Sequence, residues 1–146
     1  AELIESPQVR SMLKDFYRRF RLKEKESLTK AADFAKSCIS DDEFPKNVHW
    51  RIVLELADLA KRANNFQEAR LLYHKVCELQ PFASQGWLER SKLEEECGEL
   101  LECSVILNEG LKFCPYNENL RTRAIKHEER MAHELETGDL RRAREL

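Results

Sequence analysis

The sequence contains few of the residues that interrupt regular structure: only four glycines and four prolines occur in 146 residues. So few turn formers argue against a β-sandwich, and a hydrophobic content of 42% argues against a disordered chain. No apolar run approaches about 18 residues, so no membrane-spanning helix is predicted. The N-terminal stretch AELIESPQVRS lacks the apolar core of a signal peptide. The charged content of 36% instead favours helices that each expose one face to water.

The five cysteines follow no spacing typical of a zinc site or a disulfide framework. Their number is odd and no two form a C-x-x-C pair, whereas a zinc site usually shows two close pairs of ligands. The histidines do not complete such a set. We therefore predict no metal, no cofactor, and reduced, mostly buried thiols in a nuclear or cytoplasmic protein. The residues concerned are Cys38, Cys77, Cys97, Cys103, Cys114, His49, His74, His127 and His133.

Signatures of catalysis are also lacking. The sequence has no Gly-rich phosphate loop, no G-x-S-x-G and no H-E-x-x-H motif. Three consecutive glutamates, Glu94, Glu95 and Glu96, do not converge on one substrate as a general acid and base, because adjacent positions of a helix point in different directions. We therefore predict that the chain is not an enzyme.

A repeat of 34 residues is the strongest pattern in the sequence. The segment from Val53 to Pro81 aligns without a gap with the segment from Trp87 to Pro115, so that Val53 falls on Trp87. Repeats of this length that consist of two helices are typical of solenoids, in which each unit buries its apolar face against the next. The sequence therefore predicts stacked helix pairs.

Each unit has the sequence features of two helices joined by a short turn. In the first unit we predict a helix from about Asn47 to Ala63 and a second from about Phe66 to Leu79. Asn65 can cap the second helix, with Glu68 at its third position to complete a capping box. Pro81 ends it, since the residue before a proline is pushed out of the α region.

This spacing of large, small and proline residues resembles the tetratricopeptide (TPR) family, and in detail its half-a-TPR (HAT) subfamily. HAT repeats carry a Trp followed seven residues later by a Glu, as Trp87 and Glu94 are here. They also carry an Ala-Arg pair ahead of an aromatic, as in Ala69, Arg70 and Tyr73. The matching positions are Val53, Ala57, Ala69, Tyr73, Val76 and Pro81 in the first unit and Trp87, Ser91, Cys103, Leu107, Gly110 and Pro115 in the second.

The resemblance implies an all-α, right-handed α-solenoid of antiparallel helix pairs, with about seven or eight helices in this length. We expect a divergent N-terminal pair or cap over 1–46, repeats over 47–82 and 83–116, and a partial third repeat over 117–146. In the third repeat Asn117 caps a helix with Glu128 at the place of Glu94, and GDLRRAREL, with Ala143 and Arg144, opens another. Because a solenoid unit cannot bury its face alone, we expect one domain cut from a longer chain.

The resemblance also implies a protein-interaction scaffold. HAT proteins belong largely to RNA-processing assemblies, and several self-associate, so we expect protein partners in a multi-subunit complex and no membrane. The alternative is a TPR groove that captures a peptide or helix of one partner. Chaperone-tail binders of the family use a Lys, Asn and Arg clamp, but Leu54 and Asp58 stand where it needs Lys and Asn. The groove candidates are Arg51, Leu54, Asp58, Lys61, Leu88, Lys92 and Glu95.

A further alternative, direct contact with RNA, depends on an uneven distribution of charge. Residues 10–30 hold eight basic and three acidic side chains, a balance of +5, whereas residues 87–102 hold two and six, a balance of −4. Cations beside aromatics are typical of single-stranded RNA contacts. Phe16 and Phe20, however, lie on the predicted core stripe, so only a salt-sensitive electrostatic contact remains. Its candidate residues are Arg18, Arg19, Arg21, Lys23 and Lys25.

Overall fold

The computed structural model describes residues 5–41 and 44–137, and within these the chain forms helices and no β-strand. The helices belong to two compact units, which we call unit 1 and unit 2 and which meet in the sequence between Phe82 and Ala83. None of the described helices is long and apolar enough to cross a membrane. Unit 1 contains α1 (Pro7–Glu26), α2 (Leu28–Ser40), a 3₁₀ helix (Lys46–Val48), α3 (His49–Arg62) and α4 (Phe66–Leu79), and unit 2 contains α5 (Ser84–Glu96), α6 (Leu100–Phe113) and α7 (Glu118–Thr137).

Unit 1 begins with two helices that share a single linking residue. Ser6 caps α1 by accepting a hydrogen bond from the Val9 N–H at 3.2 Å. Ser27 ends α1 and caps α2, because its hydroxyl oxygen accepts the Lys30 N–H at 3.0 Å. Its backbone is extended, with φ −168 and ψ 154, so one ordinary residue suffices to separate the two helices.

The core of unit 1 lies where α1, α2 and α3 meet. Phe16 and Phe20 are one turn apart on α1, are at most 1% exposed, and have ring centroids 5.5 Å apart. Ala31 and Ala35 of α2 and Ile52 of α3 belong to the same cluster and are fully buried. The small alanine side chains let α2 approach the two phenylalanine rings closely. The predicted core stripe of α1 is therefore confirmed.

The third and fourth helices form the predicted pair. The first of them begins at His49 and not at Asn47, because residues 46–48 form a 3₁₀ turn after Pro45. The second begins and ends at the predicted residues. Asn65 caps it, with its side-chain oxygen accepting the Glu68 N–H at 3.4 Å. The Glu68 carboxylate accepts a hydrogen bond from the Asn65 side-chain amide at 2.9 Å, where a capping box would use the backbone N–H.

Unit 2 repeats this pair with its volume distributed differently. Trp87 of α5 is 6% exposed and stacks on the Phe113 ring of α6 at 5.8 Å. A Cβ atom on Gly110 would lie 2.8 Å from Cβ and Cγ of Trp87, so the indole occupies the space that a side chain would need. The equivalent positions of unit 1 hold Val53 and Val76, both buried. Unit 1 thus fills this space with two valines, whereas unit 2 fills it with one large side chain opposite a glycine.

The start of α7 is fixed by Asn117, as predicted. Its side-chain oxygen accepts the Leu120 N–H at 3.0 Å. Its side-chain amide donates to the Ser84 hydroxyl at 2.9 Å, which joins the beginning of α7 to the beginning of α5. The two first helices of successive repeats are therefore held side by side within unit 2.

The buried face of α7 carries a different polar residue from that of α5. Glu94 is 7% exposed, but Glu128, its predicted equivalent, is exposed. The buried polar residue of α7 is instead His127, because its ring contacts α6. The second helix predicted in this repeat, with Ala143 and Arg144, lies outside the described residues.

Candidate functional site

The predicted groove residues at the start of α3 are engaged within unit 1. The Arg51 guanidinium donates to the Glu5 carboxylate at 2.7 Å and lies 4.6 Å from the centre of the Trp50 ring. Leu54 is only 6% exposed. An ion pair and a cation–π contact hold Arg51, and burial removes most of Leu54 from the surface. Both residues therefore contribute to the packing of unit 1.

The other two predicted groove residues of unit 1 lie further along α3. Asp58 is half-buried and accepts a hydrogen bond from the Tyr73 hydroxyl of α4 at 2.5 Å. Lys61 is half-buried in the last turn of the helix. The short contact between Asp58 and Tyr73 links the two helices of the pair. Asp58 therefore serves the contact between α3 and α4.

An open cleft lies between α5 and α7 of unit 2, with a volume of about 410 Å³. Two of the predicted groove residues, Leu88 and Lys92, line its α5 wall. The α7 wall consists of residues that were not predicted from the sequence: Asn119, Thr122, Arg123 and Lys126. The side-by-side placement of α5 and α7 thus brings a lysine of one repeat to a second group of basic and polar side chains on the next.

The cleft carries an excess of positive charge. Lys92 is half-buried and lies 3.4 Å from Glu89, and Arg123 lies 3.3 Å from Glu95. Lys126 is exposed. The cleft thus has three cations and two nearby carboxylates, so its net charge is positive and favours a further anionic group. Lysine and arginine side chains donate charge-assisted hydrogen bonds, so this arrangement is suited to carboxylates.

Part of the α7 wall of the cleft could have been predicted from the 34-residue period. Adding 34 to Leu88 and Lys92 gives Thr122 and Lys126, both of which line the cleft. The groove positions predicted from the sequence stop at Glu95, in the second repeat, although a helix was predicted for the third. Applying the period one repeat further would have predicted half of this wall.

Glu95, the remaining groove candidate, faces other helices. Its carboxylate accepts hydrogen bonds from Arg123 at 3.3 Å and from Arg130 at 3.1 Å. It also lies 4.0 Å from the Cys103 thiol and 4.0 Å from the ring of His127. Burial, and then the negative charge of Glu95, raises the pKa of the Cys103 thiol to about 11. The thiol is therefore protonated at neutral pH.

Two of the RNA candidates on α1 are paired with one carboxylate. Arg18 and Arg19 both lie near Asp15, at 2.7 Å and 3.7 Å. The pKa of Asp15 is lowered, because the Arg18 guanidinium donates a hydrogen bond to it. The two arginines therefore have a shared counter-ion on their own helix.

Arg21, another of the RNA candidates on α1, bridges two helices. It donates to Glu24 on α1 and, at 3.0 Å, to Glu55 on α3. Lys23 and Lys25 are exposed. Phe16 and Phe20 of this helix are in the core, and Tyr17 is half-buried against it. The described residues of α1 therefore present no fully exposed ring for stacking, and its exposed cations are the remaining candidates for RNA.

Three kinds of comparison with known proteins each give a match. A family model described as PRP6, TPR-like domain matches residues 43–145. A TPR-containing protein of Dictyostelium discoideum is 52% identical over 130 residues, which cover 89% of this chain and 10% of that relative. The fold also resembles the first TPR of Spaghetti (RPAP3), solved bound to the HSP90 peptide SRMEEVD, with a TM-score of 0.62, 16% identity, and coverage of 88% of this chain and 99% of that chain.

These matches agree with the helix pairs described above. The structural likeness confirms the predicted solenoid fold of TPR type, and the family match confirms the predicted repeat class. TPR-type repeats form protein-interaction scaffolds and are not an enzyme class, so the prediction that the chain is not an enzyme is confirmed as well. The chain spans 10% of the length of the matched relative. With the family model extending over most of its residues, the chain belongs to the family of PRP6 TPR-like domains.

Proposed function

We propose that the chain is a scaffold that binds an acidic segment of a protein partner in the cleft between α5 and α7. The observation that carries this proposal is the convergence of Lys92, Arg123 and Lys126 around one open cleft. Leu88 supplies an apolar wall beside them. The cleft thus combines one hydrophobic contact with several donors of charge-assisted hydrogen bonds.

The size and chemistry of the cleft define the occupant. A volume of about 410 Å³ accommodates a few side chains and not a folded domain. Asn119 and Thr122 add an amide and a hydroxyl, which can bond to the backbone of an extended or helical segment. Aspartate or glutamate side chains of that segment would lie against Lys92 and Lys126. A neutral or basic segment would leave these cations without the favourable interaction.

The setting that we propose is a multi-protein assembly of RNA processing. HAT repeats, which this sequence resembles, occur largely in such assemblies, and the matching family is described by the name PRP6. The structural neighbour was solved with an acidic peptide of another protein, which is consistent with capture of such a segment by this fold. In this proposal the chain makes and breaks no covalent bond and supplies only a binding surface.

Charge reversal in the cleft tests the proposal. We expect the double variant Lys92→Glu, Lys126→Glu to capture about tenfold less of its protein partner, or still less, in a cross-linked pull-down from extract. A tenfold loss of affinity corresponds to about 1.4 kcal/mol, which is within the range measured for close charge pairs. Capture by the wild-type chain should fall as salt is raised. It should persist after ribonuclease treatment, since a protein segment and not RNA is bound.

The matched control is a reversal of the same sign outside the cleft. Lys112 lies on α6, has a side chain that is 70% exposed, and pairs with Glu109 three residues away. Lys112→Glu should leave capture at the wild-type level, and Lys61→Glu tests the remaining predicted groove residue of unit 1 in the same assay. Equal capture by the wild type and the Lys92→Glu, Lys126→Glu variant would show that the cleft is not the binding site.

A further inference from the structure

Three potential metal ligands meet in unit 2, one from each of its three helices. They are Glu95 of α5, Cys103 of α6 and His127 of α7, whose ligand atoms all lie within 4.8 Å of one another. Cys103 and His127 are buried, and Glu95 is half-buried. The sequence separates them by 8 and 24 residues, a spacing that predicts no metal site. Only the packing of the three helices brings them together.

The ring of His127 is oriented like that of a metal ligand. His127 is 3% exposed, and its Nε2 atom lies 3.0 Å from the Leu100 carbonyl oxygen and 2.7 Å from the Ser104 hydroxyl. A carbonyl oxygen only accepts, so Nε2 carries the hydrogen and donates it. In the neutral ring Nδ1 then presents a lone pair. A hydrogen bond of this kind, from the other ring nitrogen to a backbone carbonyl, commonly fixes a metal-binding histidine.

The free nitrogen of this ring faces the other two ligands. Within the described part of the chain, Nδ1 of His127 is buried and has no hydrogen-bond partner. It lies 4.0 Å from Oε2 of Glu95, and the Cys103 thiol is 4.0 Å from the same oxygen. A buried lone pair without a donor is costly, and a cation placed between these three atoms would satisfy it.

We propose that Glu95, Cys103 and His127 form a binding site for a divalent transition-metal ion, with Zn²⁺ as the ion that suits this set of oxygen, sulfur and nitrogen ligands. Tetrahedral zinc with bonds of about 2.0–2.3 Å places neighbouring ligand atoms roughly 3.3–3.8 Å apart. The present separations are 4.0 Å for two of the pairs, so small side-chain movements close the site. Three protein ligands leave a fourth position for water or for a group of a partner.

The charges around Glu95 set the cost of binding. Arg123 contacts Oε2 at 3.3 Å, the oxygen that faces the cysteine and histidine, whereas Arg130 contacts the other oxygen at 3.1 Å. A metal ion therefore competes with Arg123 alone, and Arg130 can remain as a hydrogen-bond donor to the carboxylate. Binding also displaces the proton of the Cys103 thiol, after which the thiolate and Glu95 together balance the two positive charges of the ion.

Cobalt substitution tests the site directly. We expect the 146-residue chain, kept reduced, to bind one Co²⁺ with a thiolate-to-metal charge-transfer band in the near ultraviolet, and Zn²⁺ to displace it and raise the melting temperature. Cys103→Ala should abolish the band. This variant is expected to fold, because the equivalent residue of unit 1 is Ala69, which is also fully buried.

Two further variants make the outcome decisive. Cys97→Ala removes a half-buried thiol outside the cluster, so the charge-transfer band should persist. Glu95→Gln keeps the size of the side chain and should weaken Co²⁺ binding and abolish the stabilisation by Zn²⁺. Absence of the band in the wild type, or its persistence in Cys103→Ala, would overturn the proposal. If the band were lost in Cys97→Ala and kept in Cys103→Ala, the metal would be bound by the Cys97 thiol, and this result would also overturn the proposal.

Discussion

At the scale of single residues, the two helices of a pair pack closely when a large side chain on one helix lies opposite a small residue on the other. Trp87 could be placed in the core from the sequence, because it repeats the position of Val53 one period later. The contact between Trp87 and Gly110 could not be predicted, because the alignment of two repeats does not show which positions touch between the two helices of a pair. The structure shows that the indole fills the space beside Gly110, where a Cβ atom would lie 2.8 Å from atoms of Trp87.

We predict that Gly110→Val lowers the free energy of unfolding by about 1–3 kcal/mol, the usual cost of overpacking a core. The new side chain would overlap atoms of Trp87 that are close to its backbone, so a simple rotamer change cannot relieve the contact. Urea unfolding followed by far-ultraviolet circular dichroism measures the change.

A double-mutant cycle supplies the control. Trp87→Val alone should also destabilise, by about 3 kcal/mol, because it leaves a cavity. The double variant Trp87→Val, Gly110→Val recreates the valine pair of Val53 and Val76, and we expect it to be more stable than the sum of the single changes by about 1–3 kcal/mol. Additive effects would show that the two positions do not share the same space.

At the scale of elements, the two second helices of the repeats begin differently. Asn65 caps α4 with its side chain, whereas the equivalent residue before α6 is Glu99, whose side chain makes no capping hydrogen bond. The backbone is nearly the same at both positions, with φ −91 and ψ 75 at Asn65 and φ −88 and ψ 70 at Glu99. Glu102 already stands at the third position of α6, where Glu68 stands in α4.

We predict that Glu99→Asn stabilises the chain by about 0.5–1 kcal/mol. The backbone at this position already has the conformation in which an asparagine side chain reaches the N–H three residues later, so the change adds a capping hydrogen bond without strain. Part of the gain offsets the lost attraction between a carboxylate and the helix dipole. Thermal unfolding monitored by circular dichroism is the appropriate measurement.

The reverse change tests the same reasoning in α4. Asn65→Ala should destabilise by about 1 kcal/mol, because it removes a capping group that exists. Gln67→Ala, at an exposed position in the first turn of the same helix, should change stability little. If Glu99→Asn were neutral while Asn65→Ala destabilised, the start of α6 would be limited by something other than its missing cap.

At the scale of the whole molecule, the uneven charge of the sequence is reduced by pairing in the folded chain. The balance of +5 in residues 10–30 already includes Asp15, the partner of Arg18 and Arg19, so the reduction comes from a carboxylate outside this range. Arg21 reaches Glu55, which is 34 residues away and only 12% exposed in its side chain. A count of charges along the sequence cannot include partners that folding brings from another helix.

This pairing predicts different results for the basic residues of α1. Arg21→Glu should lower the free energy of unfolding by on the order of 1 kcal/mol, since it places a third carboxylate beside Glu24 and Glu55. Lys23→Glu with Lys25→Glu should cost only the interaction of two exposed charges with the C-terminal end of α1, roughly 0.3–1 kcal/mol each, and it disrupts no described contact between helices. The double variant is therefore the cleaner probe of RNA binding.

Salt elution from immobilised single-stranded RNA measures that binding. Given the proposed protein partner, we expect the wild type and the Lys23→Glu, Lys25→Glu variant to elute at the same salt concentration. Retention of the wild type to higher salt would favour the RNA alternative, because electrostatic contacts with phosphates weaken as salt is raised.

The parts of the molecule that sequence reasoning reached are those governed by local spacing. Helix ends, the cap at Asn117 and the burial of Trp87 follow from rules that act over one or two turns or over one repeat period. Half of the cleft wall on α7, namely Thr122 and Lys126, follows from the repeat period. The other half and the cluster around His127 depend on how the three helices pack, which the spacing along the chain does not encode. In the sequence His127 is one of four scattered histidines, 24 residues from Cys103 and 32 from Glu95.

Arg123 belongs to two places at once, since it lines the cleft and also contacts Glu95. An acidic partner that draws this guanidinium toward the cleft would release the carboxylate oxygen that a metal ion needs. A metal ion bound to that oxygen would in turn free Arg123 for the partner. The two binding equilibria would then share one coupling free energy, equal in both directions. Through this one side chain, the affinity of unit 2 for its protein partner would depend on the local concentration of zinc.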